Sequence, residues 1–107
     1  MYSAIVMQKK EFGGYLGKAP TRVDLNDYEA VAFLNNRDLS KGVMLGEAFE
    51  LTNSIDAHWS ENEGIEVMGG RANYRSTSVG DLIWLNENDE NEGMYIVDNF
   101  GFKPVNI

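Results

Sequence analysis

Cysteine is absent from the 107 residues. That removes a disulfide framework, a thiolate metal site and a cysteine nucleophile in one step. Histidine occurs once, as His58, which excludes a multi-histidine metal centre. Proline occurs twice and glycine 11 times, with 43% hydrophobic residues, so neither a collagen-like nor a disordered chain fits. No apolar run approaches the roughly 18 residues of a membrane-spanning helix. No long apolar stretch follows the basic residues near the N-terminus, so no signal peptide is expected. Basic residues are also scarce: 9 Lys and Arg against 17 Asp and Glu, a formal net charge of -8. A chain with a pI of about 4.5 lacks the basic footprint of an electrostatic nucleic-acid binder.

The acidity is uneven. Residues 1–53 hold 6 basic and 7 acidic residues, while residues 54–107 hold 3 basic and 10 acidic ones. The densest stretch, residues 86–93, reads Asn-Glu-Asn-Asp-Glu-Asn-Glu-Gly. Its simplest reading is a solvated turn. The sharper one is an interaction tip formed by Glu87, Asp89, Glu90 and Glu92, which meets a basic partner or imitates DNA phosphate.

Hydrophobic periodicity places the elements. Tyr2, Ala4 and Val6 alternate along a first, well-buried strand. A glycine-rich connection follows, with Gly13, Gly14 and Gly17. It differs from a phosphate-binding loop, because Phe12 stands where glycine is required and Ala19 follows Lys18 where Ser or Thr is required. Leu25, Tyr28, Val31, Ala32 and Leu34 recur at helical spacing behind Asp24, which predicts a capped helix ending at Asn35-Asn36. A second helix is predicted from about Ser40 to Leu51, although Gly42 and Gly46 oppose it by about 1 kcal/mol each. Ile65 to Met68 reads as a short strand. Leu82 to Leu85 and Met94 to Val97 read as a C-terminal β-hairpin whose long tip is the acidic octapeptide. Phe100-Gly101-Phe102 opens a last extended segment, and Pro104 puts that segment at an edge. The expected fold is a small single α+β domain over residues 1–107, an antiparallel β-sheet with about two helices.

Chemical motifs are few. Residues 86–93 and their flank fail as an EF-hand, since Asn99 falls where the bidentate glutamate belongs. His58 and Trp59 read as a partly buried aromatic pair anchoring a loop. Arg75-Ser76-Thr77-Ser78-Val79-Gly80-Asp81 is the most distinctive stretch. Its hydroxyls and Asp81 suit backbone bonding at a bend, and Gly80 suits a positive φ there. Alternatively, Arg75, Ser76, Thr77, Ser78 and Asp81 form a small-ligand or anion-binding turn. Neither a nucleophile–base pair nor an oxyanion hole can be assembled from spacing alone.

Three stretches together carry a family likeness. They are Phe12-Gly13-Gly14-Tyr15-Leu16-Gly17 with Pro20, residues 49–56 with Trp59 and Asn62, and residues 75–81 with Tyr95, Val97, Asp98 and Phe100-Gly101-Phe102. The chain resembles small proteins of bacteriophages and other mobile elements related to the YodL-like domain, most closely over its last third. In that pattern Trp59, Gly80, Phe100, Gly101 and Phe102 stand as structural anchors. The resemblance implies an accessory role in the cytoplasm of a bacterial host. It carries no catalytic residues across. The expectation is a non-enzymatic module that binds a host protein, without cofactor or metal, without direct nucleic-acid binding and without membrane association. A homo-oligomer through the last strand remains open.

Overall fold

The computed structural model describes residues 1–11, 18–53, 64–68, 75–87 and 90–107. In chain order the elements are β1 (Tyr2–Lys9), a 3-10 turn (Leu25–Asp27), β2 (Tyr28–Arg37), α1 (Lys41–Leu51), β3 (Glu66–Val67), β4 (Leu82–Glu87), β5 (Glu90–Asp98) and β6 (Gly101–Val105). The strands form one antiparallel sheet in the order β3-β2-β1-β4-β5-β6. The fold is therefore the expected small α+β domain, with a radius of gyration of 12.8 Å, close to that of a single domain of this length.

β1 lies inside the sheet because its residues pair on both sides. Val6 faces Ala32 of β2 and Ile83 of β4. Alternation then sorts side chains onto two faces. Ala4, Val6, Leu34, Ile83, Leu85 and Val97 point to one face and pack under Met44, Leu45 and Ala48 of α1. On the other face Leu82, Met94, Ile96 and Val105 form a second core with Tyr28, covered by Ala19, Val23 and Leu25.

Residues 24–34 are not a helix. Asp24 caps only the 3-10 turn, where its carboxylate accepts from the Asn26 N–H at 2.9 Å. From Tyr28 the chain is a ten-residue strand. Next to β1 it is packed on both faces, so it carries an apolar run instead of a clean alternation. A register shift between Val6 and Met7 also leaves Val31 as the extra residue of a β-bulge. The bulge puts Val31 and Ala32 in the same core as Leu34, Tyr28 is buried in the other, and the four buried positions together imitate helical spacing.

The second helix forms as predicted. The Ser40 hydroxyl accepts from the Val43 N–H at 3.4 Å and marks its start. Its buried face is Met44, Leu45 and Ala48, whereas Val43 is 54% exposed.

β4 and β5 form the expected hairpin, but the acidic octapeptide is not a long tip. β4 runs on through Glu87 and β5 begins at Glu90, with Glu87 opposite Glu90 in register. A second bulge at Glu92 absorbs the offset between Leu85↔Gly93 and Asn86↔Asn91. Asp89 lies outside the described residues, as do Trp59, His58 and the glycine-rich stretch 12–17.

β6 is an edge strand, as Pro104 suggested. Val97 directs its N–H and C=O towards Asp81 and Gly80. The neighbouring residues Ile96 and Asp98 therefore bond Lys103 and Gly101, and Pro104 turns its N–H-less backbone outward. The end of β6 is met by the incoming chain: Val23 N–H donates to the Asn106 carbonyl and Asn106 N–H to that of Thr21.

Candidate functional site

The stretch 75–81 folds as a turn with a polar knot. Asp81 N–H donates to the Ser78 carbonyl at 3.0 Å, and Gly80 takes φ 98°, the signature of a type II turn that favours glycine at that position. Asp81 then points inward and is 1% exposed. Its Oδ1 accepts from Lys9 N–H at 2.9 Å and from Arg75 Nη2 at 2.6 Å. Its Oδ2 accepts from Ser78 N–H at 2.8 Å and from Arg75 Nη1 at 2.5 Å. Four bonds fill the roughly four lone-pair sites of a carboxylate.

Arg75 thus makes the forked, two-bond pairing that its planar guanidinium favours. It also donates to the Ser76 carbonyl, the Ser78 hydroxyl and, at 3.4 Å, the Lys9 carbonyl. Thr77 is fully buried. Its hydroxyl accepts from Gln8 Nε2, which also donates to the Arg75 carbonyl at 2.7 Å. Asn53 Nδ2 donates to the Thr77 carbonyl at 2.9 Å, and Thr77 N–H to that of Thr52.

Tyr28 closes the knot from the opposite core. Its hydroxyl donates to the Gly80 carbonyl at 2.9 Å. Burial, helped by the charges of Asp81 and Asp27, pushes its phenol up to about 12.

The structure therefore brings Arg75, Ser76, Thr77, Ser78 and Asp81 together, but turns them on one another. The guanidinium fork that an anion would need is occupied by Asp81. Gln8, Lys9, Tyr28 and Asn53 complete the cluster from 22 or more positions away, as the 24-residue separation of Asn53 and Thr77 illustrates. No local motif marked them. Among the described residues no buried side-chain nitrogen or oxygen lacks a partner, and no group of three His, Cys, Asp or Glu is placed to share a metal. No helix of the described residues is long and apolar enough to cross a membrane.

The most exposed large apolar side chain among the described residues sits at the β5–β6 turn. Phe100 is 91% exposed there, between Asn99 and Gly101, whose φ is 89°. Asn99 N–H bonds to the Asp98 carboxylate at 2.8 Å and stiffens the turn. Phe102 lies on the helix face and packs on the main core. A cleft opens on each side of the turn. One, of about 440 Å³, lies against α1 and is lined by Phe49, Val79 and Phe102. The other, of about 580 Å³, lies between residues 18–21 and β6, with Phe100 and Lys103 in its wall. Of the anchors read from the sequence, Gly80 and Gly101 hold turns and Phe102 packs, while Phe100 joins neither core among the described residues.

No family model, curated protein or solved structure matches this chain.

Proposed function

We propose that this chain is a non-enzymatic interaction module that binds a protein, as an accessory protein of a phage or mobile element acting in the cytoplasm of a bacterial host. The observation that carries the reading is Phe100, an aromatic ring 91% exposed on a stiffened turn between two clefts. A large apolar side chain that stands 91% exposed is a typical anchor for a partner's pocket. The polar cluster supports the same reading, because its groups are engaged in holding the turn.

Charge shapes the partner. A net -8, concentrated beyond residue 53, favours a basic surface and speeds encounter with it. The acidic β4–β5 hairpin, with Glu87 facing Glu90, is the second element of the surface.

The test is capture from host lysate with wild-type protein, Phe100→Ser and Glu87→Lys. A protein retained by the wild type, lost with Phe100→Ser and weakened by Glu87→Lys supports the reading. An identical set retained by wild type and Phe100→Ser refutes it. Adding DNA separates the variants of the idea: a partner that is lost as salt rises and that DNA displaces at low salt identifies DNA mimicry.

A further inference from the structure

The cleft beside α1 has a composition that specifies its occupant. Its walls are apolar: Phe49 and Phe102 meet edge to face with centroids 6.4 Å apart, and Val79 and Val97 complete the lining. Among the described residues, the charged side chains that line it, Glu50 and Asp98, are both acidic. Asp98 is already oriented by the Asn99 N–H, whereas Glu50 is exposed on the outer face of the helix.

Gly46 is the second, independent observation. It sits in the interior of α1 and lines the same cleft. A Cβ there would meet no heavy atom within 4 Å. No close approach within the chain requires glycine, yet glycine weakens the helix by about 1 kcal/mol relative to alanine. The missing side chain leaves open space where Gly46 meets the cleft, on the helix stripe it shares with Glu50.

Resting on the interaction-module reading, we infer that this cleft receives a partner segment presenting an apolar side chain next to a lysine or arginine. The apolar group fills the space between the Phe49 and Phe102 rings and Val79. The cation lies at the rim against Glu50 and Asp98, in a field already negative from the net charge of -8. A protein segment fits better than a free amine, because Phe100 on the same turn also needs a surface to cover it.

The experiment is an NMR titration of the labelled full chain with two capped tetrapeptides, acetyl-Gly-Phe-Arg-Gly-amide and acetyl-Gly-Phe-Glu-Gly-amide. The arginine peptide should shift the amide signals of Gly46, Phe49, Val79 and Gly101 saturably. The glutamate peptide should bind at least several-fold more weakly. Glu50→Gln should weaken the arginine peptide about threefold, the scale of an exposed ion pair. Gly46→Leu should fill the cleft and abolish the shifts while the melting temperature stays at or above the wild-type value. If that variant folds poorly, Gly46→Ala, one methyl group larger than the native residue, should weaken binding instead. Equal affinity for both peptides, shifts that map elsewhere, or unchanged binding by the folded Gly46 variants would overturn the inference. Should these appear while capture still depends on Phe100, the cleft assignment fails and the interaction-module reading survives.

Discussion

At the scale of single residues, Asp81 ties its own turn, through Arg75 and Ser78, to Lys9 of β1. Its carboxylate and the guanidinium of Arg75, 25% exposed, form a mostly buried pair. Removing one partner leaves the other's charge poorly solvated and its hydrogen bonds unmade. Asp81→Asn and Arg75→Met should each cost on the order of 3 kcal/mol in urea unfolding. The double variant should cost clearly less than their sum, with a coupling of about 1–3 kcal/mol; strict additivity would show that the pair does not act as a unit. Tyr28 gives a pH dependence. Its phenol, near 10 when unfolded, is raised to about 12 by burial first and by Asp81 and Asp27 second. The folded chain therefore keeps a proton that the unfolded chain releases between those values. The stabilisation is fully present below pH 10 and is lost as pH rises towards 12, by roughly 2–3 kcal/mol. Tyr28→Phe should lower stability by about 1 kcal/mol at neutral pH, through the unmet Gly80 carbonyl, and lose less than the wild type between pH 9 and 11. Urea midpoints measured at both pH values check this. The sequence announced the turn itself through its hydroxyls, Gly80 and Asp81. It was silent on Gln8, Tyr28 and Asn53, because only the tertiary fold brings them to it.

At the scale of elements, legibility followed the environment of each segment. β1, α1, the β4–β5 hairpin and the edge position of β6 were readable, since each has a capping residue, an apolar run of strand length or a proline that fits one role. β2 was not, because burial on both faces and a bulge at Val31 imitate helical spacing. The acidic stretch misled in the other direction: polar residues suggested a loop, but backbone pairing across the hairpin carries β4 to Glu87 and restarts β5 at Glu90. Pro104 supplies a prediction at this scale. Its missing N–H faces outward, so the edge offers only the Phe102 N–H ahead of the bridge at Asn106. Pro104→Val restores a second outward donor in phase with the first. The monomer's stability should change little, while self-association at high concentration should rise. Unchanged sedimentation of the variant would show that the edge is protected by something else.

At the scale of the molecule, the chain divides its labour between an inward polar knot and an outward turn. One sheet with a helix on one face and an irregular strap on the other was legible as a class, α+β, from the order of apolar segments. The outward site was legible only in part. Phe100 stood out as a motif residue but read as an anchor, and only the fold reveals how exposed it is. The two clefts arise where α1, residues 18–21 and the β5–β6 turn converge, and no local pattern encodes that convergence.

The central position of β1 also bears on how the protein is made. β1 is synthesised before both of its neighbours, and one of them, β4, lies about 80 residues later, with Tyr2 opposite Glu87. A nascent chain can join β1 to β2 early, but must leave the other edge of β1 open until β4 has been added. The growing polypeptide thus leaves one edge of an apolar strand open while the chain between β1 and β4 is made, the condition in which chains seek chaperones or aggregate. Closing so distant a pairing is slow, and refolding from urea should take milliseconds to seconds. A stopped-flow trace complete within microseconds to tens of microseconds would contradict that order of assembly.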